Sequence, residues 1–311
     1  MRWTTLGDVD PKQWADLIRV ISDADGNGEY YEAEDLAEEL ADGNTDVETD
    51  TFAVLHGDDL VAWGQLYLPS APVQGAAMVR IMGGVHPDYR GRGIGRELFA
   101  RQEAAGRARA AALHPDLPVQ LTGGSLDTVL GQIALLEHRG YRPVRYFHAM
   151  QRAVAAADAD LRLDPRVRPY EPSLSETVRL AHLTAFAGHW GSSPPTPVEW
   201  QQQRVGSRTF RPRHSFVATR EDGRVDGYVL CFQFERDEIY IGQLGVVPSA
   251  RRHGLAKALL EAAIASVART GIPKAALDVD SDNPDGAGAL YTSLGFDTIR
   301  RSAMYQLPSA E

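Results

Sequence analysis

Two short segments of the chain, 161 residues apart, combine arginine and glycine in a pattern that could hold a phosphate group. Their residues are Arg90, Gly91, Arg92, Gly93, Ile94 and Gly95, and Arg251, Arg252, His253, Gly254, Leu255 and Ala256. Each segment follows a run rich in β-branched residues that ends in Val-x-Pro, and each precedes a helix-forming sequence. Glycine allows close approach of the backbone, and amides at a helix N-terminus attract anions. The pattern predicts two loops suited to a diphosphate.

The spacing separates these loops from better-known phosphate sites. Neither loop has the Gly-Lys-Ser/Thr ending of a P-loop or the Gly-x-Gly-x-x-Gly spacing of a dinucleotide site. For one copy alone, a glycine-rich turn that merely starts a helix is the competing interpretation. Because Val, Pro, Arg and Gly recur in the same register, we instead interpret the two segments as parts of a duplicated domain.

The elements around the loops support two similar halves. The chain has 311 residues, enough for two domains of roughly 150 residues. We expect domains at residues 1–152 and 166–311, joined by a linker at 153–165 that is rich in small residues. In the second half, strands at 216–219 and 229–232 flank an Asp-Gly turn, and a strand at 238–247 leads to the loop. A helix, a strand at 275–279, a helix at 287–294 and a strand at 298–304 follow, so we expect a mixed α/β fold.

Composition narrows the function classes. With Cys231 as its single cysteine, the chain has neither a disulfide framework nor a cysteine-built zinc site, which favours a cytoplasmic location. Its apolar runs are shorter than the roughly 20 residues of a membrane span. The net charge of −10 argues against nucleic acid and favours small cationic partners.

The acidic residues concentrate in one window. Residues 21–50 contain twelve Asp or Glu and no Lys or Arg. Within the window, Asp23, Asp25, Asn27, Gly28 and Glu34 fit a calcium-loop pattern, but the pattern occurs once. A polar turn between helices is the alternative that we favour, and we expect no metal site.

Two motifs in the second half resemble the signature motifs of the GCN5-related N-acetyltransferases. The first runs from Val246 and Pro248 through Arg251 and Gly254 to Ala256; the second comprises Asn283, Pro284, Gly286, Ala287, Leu290, Tyr291, Gly295 and Phe296. The first half has the first motif, and the second motif only as 136–141. The resemblance implies a tandem pair of such domains, each a mixed, mostly antiparallel sheet flanked by helices.

The resemblance also implies acetyl-CoA as cofactor. Both loops would hold its pyrophosphate, and its pantetheine arm would pair with an exposed strand edge. The edge residues are Leu244, Gly245 and Val246 in the second half, and Gly83, Gly84 and Val85 in the first. Asn283 would meet the pantetheine amides.

Catalytic roles follow by the same comparison. Tyr291 would be the general acid beside the thioester sulfur, since a thiolate and a phenol have unperturbed pKa values of roughly 8.5 and 10. Leu136 occupies the matching place in the first half. An aliphatic side chain cannot donate a proton, so we expect the N-terminal domain to be non-catalytic.

The general base and the acceptor site leave more than one assignment open. Tyr240 stands where many family members have a glutamate, and Glu238 is two residues earlier on the same strand face. Glu238 would act directly or through water, or it is a surface carboxylate. His189 is a second candidate base, or a capping or half-buried histidine. It lies with Trp190 in a loop that borders the acceptor in this family, and we expect His189, Trp190 and Tyr240 at the acceptor. Trp190 and Trp200 either line that pocket or pack.

These inferences predict an acetyl-CoA-dependent N-acetyltransferase. It would acetylate the primary amine of a small cationic molecule by direct transfer in a ternary complex, as a monomer or homodimer. A protein or peptide amine acetyltransferase and a non-catalytic CoA-binding regulatory protein are the alternatives.

Overall fold

Helices and strands alternate along the chain, as the hydrophobic periodicity predicts. The computed structural model describes residues 1–282 and 286–308. They form two units, one from Met1 to Phe147 together with the residues from Arg300 onward, and one from His148 to Ile299. The C-terminal segment from Arg300 onward therefore belongs to the first unit.

The first unit is built around an N-terminal sheet. Its elements are β1 (Arg2–Thr4), α1 (Pro11–Asp25), α2 (Ala33–Leu40), α3 (Val47–Asp50), β2 (Thr51–His56), β3 (Asp59–Tyr67), β4 (Ala77–Val85), α4 (Ile94–Leu113), β5 (Val119–Leu126), α5 (Leu130–His138) and the start of β6 (Arg142–Ala153). Its strand order is β1-β2-β3-β4-β5, followed by the last strand of the chain, β12 (Asp297–Gln306). Strands β4 and β5 are parallel, and the pairs β1–β2, β2–β3, β3–β4 and β5–β12 are antiparallel.

The second unit has the same plan. Its further elements are β7 (Val167–Pro169), α6 (Ser175–Ala185), α7 (Pro197–Trp200), β8 (Phe216–Thr219), β9 (Val225–Phe232), β10 (Glu238–Val246), α8 (Leu255–Arg269), β11 (Lys274–Asp280) and α9 (Ala287–Ser293). The strand order is β6-β11-β10-β9-β8-β7, with β10 and β11 parallel. The elements expected in the second half are confirmed, and so is the mixed, mostly antiparallel fold class.

Apolar faces explain how the helices pack in the second unit. Leu259, Leu260 and Ile264 of α8 are fully buried against Ile239 of β10 and Leu277 of β11. A separate apolar cluster containing Val178 of α6, Trp200 and Tyr228 is also buried. Side chains alternate between the two faces of β10. Ile239 therefore packs in the cluster around α8, and its neighbour Tyr240 packs in the cluster that contains Trp200. None of the helices among the described residues is long and apolar enough to cross a membrane.

The calcium-like part of the acidic window lies at the end of α1 and in the turn that leads to α2. Helix α1 ends at Asp25, and Gly26 adopts a left-handed conformation with φ of 69°. Asp23 accepts from the Tyr30 hydroxyl at 3.0 Å, and the Asn27 side-chain oxygen accepts from the Glu29 amide at 3.0 Å. The described residues contain no group of acidic or histidine side chains arranged to hold a metal. Asp23 and Asn27 therefore make hydrogen bonds within this turn.

Candidate active site

The second loop has the backbone geometry of an anion site. Gly254 is the N-cap of α8 with φ of 73°, and a Cβ placed on it would meet nothing within 4 Å. The first amide donor to Gly254 O is that of Ala258, at 3.0 Å. The amides of 255–257 therefore precede the hydrogen-bonded ladder of the helix and are available to a ligand. Leu255 itself is buried, so only its backbone can take part.

The first loop repeats this backbone conformation, and the two loops differ in the residue at one of their two left-handed positions. Gly91 and Gly93 are left-handed, with φ of 73° and 84°, and the latter is the N-cap of α4. The corresponding positions of the second loop are Arg252, with φ of 62°, and Gly254. A left-handed conformation costs a non-glycine residue roughly 1–2 kcal/mol. The second loop thus stores strain where the first uses glycine.

An open strand edge lies next to each loop. In the second unit, β10 pairs with β11 only from Glu238 to Tyr240, although it continues beside β9 as far as Val246. In the first unit, β4 pairs with β5 only as far as Ile81 and continues to Val85. The segments Leu244–Val246 and Gly83–Val85 lie beyond these ladders. Gly83 has φ of 152°, and a Cβ there would lie 2.5 Å from Trp63 O.

A buried aromatic pair supports the edge of β10. Tyr228 lies opposite Gly245, and a Cβ on that glycine would lie 2.6 Å from Tyr228 Cε1. The Tyr228 hydroxyl and His182 Nδ1 are hydrogen-bonded at 2.5 Å. Burial, followed by the nearby charge of Arg204, lowers the pKa of His182 to about 4. The imidazole is therefore neutral at physiological pH, and sequence reasoning did not identify it.

The loop arginines make structural hydrogen bonds with their side chains. Arg251 Nε donates to Val246 O at 3.2 Å, and Arg90 Nε donates to Val85 O at 3.1 Å. Both guanidinium groups also reach the first helix of their own unit, Arg90 through Asp25 at the end of α1. The arginine side chains thus connect strand, loop and helix. His253 contributes its carbonyl to Arg166 at 3.3 Å.

Tyr291 lies on the short helix α9 and is 8% exposed. Burial raises the pKa of its phenol to about 12. Among residues 1–282 and 286–308, the phenol oxygen forms no hydrogen bond. The side chain therefore keeps its proton at neutral pH and has no partner within the described chain that would hold it back.

Leu136 is the structural counterpart of Tyr291. The Tyr141 amide donates to Leu136 O at 3.0 Å, and the Phe296 amide donates to Tyr291 O at 3.1 Å. The glycine before each donor is left-handed, with φ of 88° at 140 and 82° at 295. The backbone of the two turns matches. The first unit therefore lacks the phenol hydroxyl only because Leu136 stands where the second unit has Tyr291.

Glu238 and Tyr240 project to the same side of β10. Gln151 Nε2 donates to Glu238 Oε2 at 2.5 Å, and Glu238 lies opposite Lys274 in the β10–β11 ladder. The Tyr240 hydroxyl donates to Asp278 Oδ2 at 2.9 Å. Asp278 was not among the expected residues, although exposed aspartates alternating with apolar residues at the end of β11 were a usable signal.

The other residues predicted to border the acceptor follow α6 in the chain. His189 lies 4.9 Å from the Phe186 ring, and Phe186 stacks on His182 at 4.6 Å between ring centroids. Trp190 is half-buried in the same segment. Trp200 is fully buried against His182, so it packs in the core. Asn283 lies outside the described residues.

Comparison with known proteins agrees with this geometry. The model of the Acetyltransferase (GNAT) family matches residues 14–120 and 178–296, one stretch in each unit. The "Mycothiol acetyltransferase" of Streptomyces avermitilis is 32% identical over 261 residues, which cover 81% of this chain and 78% of that protein.

Two solved structures share the fold over the whole chain. The GCN5-related N-acetyltransferase from Sphaerobacter thermophilus has a TM-score of 0.76 at 22% identity and covers 100% of this chain and 97% of its own. A tandem GNAT protein from the clavulanic acid biosynthesis pathway has a TM-score of 0.73 at 18% identity, with 100% and 99% covered. Both similarities extend over the two units.

Proposed function

Because this chain belongs to the acetyltransferase (GNAT) family, we propose that its second unit acetylates the primary amine of a small cationic molecule. It is an acetyltransferase, and acetyl-CoA is its cofactor. The observation that carries the assignment to the second unit is the side chain at one matched turn. Tyr291 offers a buried phenol there, whereas the first unit has Leu136.

The residues of the second unit suit the cofactor. The open space in front of Gly254 and the free amides at the start of α8 fit a pyrophosphate. The edge of β10 from Leu244 to Val246 fits an extended arm that carries amide groups. Acetyl-CoA supplies a thioester carbon open to attack and a thiolate leaving group.

The chain's own residues then manage two protons. Glu238 takes a proton from the acceptor ammonium, directly or through a water molecule. The neutral amine nitrogen forms a bond to the carbonyl carbon as the carbon–sulfur bond breaks. Tyr291 gives its phenol proton to the departing sulfur, which leaves as a thiol, and the surplus proton that the new amide nitrogen loses restores the phenol. Because the phenol has a pKa of about 12, it is fully protonated before the reaction.

Two observations support a small cationic acceptor. A relative at 32% identity is named mycothiol acetyltransferase, which supports a small-molecule acceptor. The chain has a net charge of −10. Glu238 of β10 and Asp278 of β11 project from the same face of the sheet, near the point where the two strands separate. Carboxylates favour a positively charged partner.

An acceptor screen tests the proposal. The purified chain is incubated with acetyl-CoA and a panel of amino sugars, polyamines and aminoacyl compounds beside lysine-bearing peptides, and thiol release is followed. We expect turnover with small cationic amines. Turnover with peptides alone would overturn the acceptor class. Calorimetric binding of CoA without any turnover would instead indicate a non-catalytic binding protein.

A further inference from the structure

A tyrosine and an aspartate meet where β10 and β11 separate. Tyr240 pairs with Ala276, and it is the last residue of β10 in the β10–β11 ladder. Asp278 follows two residues later on β11, so it projects to the same side as Ala276. The 2.9 Å hydrogen bond from Tyr240 to Asp278 therefore crosses the opening of the gap just beyond the last paired residues.

The surroundings of this pair suit a cation. The Phe234 and Tyr240 rings lie 6.0 Å apart, so aromatic surface adjoins the carboxylate. Glu238 projects from the same face of β10 as Tyr240, two residues earlier in the β10–β11 ladder. The one nearby lysine in the β10–β11 ladder, Lys274, forms a 2.8 Å ion pair with Asp237. The positive charge of Lys274 is therefore compensated by Asp237, which does not belong to the Tyr240–Asp278 pair.

We propose that Asp278, oriented by Tyr240, binds the ammonium form of the acceptor amine at the opening of the β10–β11 gap. This inference rests on the proposed function and names the residue that recognises the acceptor. The bound ammonium lies beside Glu238, which removes the proton. Tyr240 is a positioning residue, since it acts through the carboxylate that it holds.

A carboxylate that binds the acceptor changes the pKa of the bound amine, which a purely structural hydrogen bond does not do. A carboxylate next to an ammonium group stabilises the charged form and raises the pKa of the bound amine. Asp278 therefore strengthens acceptor binding while it raises the pH at which the bound amine becomes reactive. Removing its charge weakens binding and moves the rising limb of kcat against pH to lower pH.

Other charged groups face the same gap and are part of the test. Glu238 on β10 and Asp280 on β11 share the side of Asp278, and Lys274 lies in the ladder behind them. Because these groups remain in an Asp278 variant, the shift measured against wild type reports the one carboxylate that was changed.

The experiment uses the full chain and the best small amine from the screen. For Asp278→Asn we expect the KM for the amine to rise about tenfold or more, the KM for acetyl-CoA to stay unchanged, and the rising limb of kcat to move down by about one pH unit. Asp278→Glu keeps the negative charge, so the rising limb of kcat should lie at the same pH as in wild type. Asp222→Asn, in an exposed turn where Asp222 pairs with Arg224, is the matched control.

Each outcome decides between roles. A lower melting temperature and lower kcat with an unmoved pH limb would assign Asp278 a structural role and overturn the inference. If Asp278→Asn does not fold, Tyr240→Phe provides the test, because it keeps the carboxylate but removes the hydrogen bond that orients it. A rise of a few-fold in the amine KM supports the inference, and an unchanged amine KM contradicts it. Absence of turnover in the wild-type chain would overturn the proposed function instead.

Discussion

Arg251 donates through Nη2 to the carbonyl oxygen of Ala185 at 3.0 Å, which fastens the loop after β10 to the last residue of α6. In the first unit, Arg90 makes the equivalent connection to Asp25 with two hydrogen bonds of 2.7 and 2.8 Å. The arginine of the repeated motif therefore fixes the position of each loop with its side chain. The positive charge is directed at the protein's own carbonyl and carboxylate oxygens.

Arg251→Lys should weaken cofactor binding more than it slows chemistry. An ammonium group cannot span Val246 O and Ala185 O as the guanidinium fork does. Hydrogen bonds to charged groups contribute about 1.5–3 kcal/mol, so we expect the KM for acetyl-CoA to rise at least about tenfold. Steady-state kinetics with Arg224→Lys as the exposed control measure it. An unchanged KM would mean that the loop holds its shape without the tie.

Tyr291→Phe should lower kcat by a factor of about 10²–10⁴, the usual contribution of a positioned general acid. Because the phenol oxygen forms no hydrogen bond among the described residues, thermal stability should change little. Burial raises the phenol pKa to about 12, so the wild type should show no loss of the acid form between pH 7 and 10. Tyr146→Phe, at an exposed tyrosine of the first unit, is the control. Equal kcat for Tyr291→Phe and wild type would remove the proton-donor role.

Gly245→Ala should disturb the strand edge. The new methyl group would lie 2.6–2.8 Å from the ring and hydroxyl of Tyr228, which His182 holds in place. Such overpacking costs about 1–3 kcal/mol, and the displaced edge should raise the KM for acetyl-CoA. Gly131→Ala is the matched control, since a methyl group there meets nothing within 4 Å on helix α5. Equal melting temperatures for the two variants would contradict this account.

Stability should fall as the solution becomes mildly acidic. His182 has a folded-state pKa of about 4, against 6.5 for an ordinary histidine. Between these values the unfolded chain binds a proton that the folded chain does not, so folding weakens as pH falls from 6.5 towards 4. By linkage the loss amounts to about 3 kcal/mol. Urea unfolding at several pH values measures it.

Variants distinguish the source of this pH dependence. His182→Gln should be less stable than wild type at pH 7, because it loses the pairing with Tyr228, yet its stability should depend less on pH. His214, whose pKa burial also lowers to about 4, should retain its own share. Identical pH profiles for His182→Gln and wild type would show that another group is responsible.

The elements of the second unit were predictable because their signals are local. Alternation along β10, the helical spacing of leucines in α8 and the glycine at 254 each depend on neighbouring residues. Contacts between distant segments carried no such signal. The bond of Tyr240 to Asp278 and the pairing of His182 with Tyr228 join residues that only the folded sheet brings together. The left-handed Arg252 was equally hidden, since arginine does not mark that conformation.

The pairing of β12 with β5 has a consequence for biosynthesis. Ser302 to Gln306 lie opposite Leu126 to Thr122, so the first sheet takes one of its strands from a segment translated after the whole second unit. While the ribosome is still making that unit, β5 exposes an edge that nothing downstream has yet covered. Nascent chains stalled before β12 should therefore bind strand-capturing chaperones, and chains stalled after it should not.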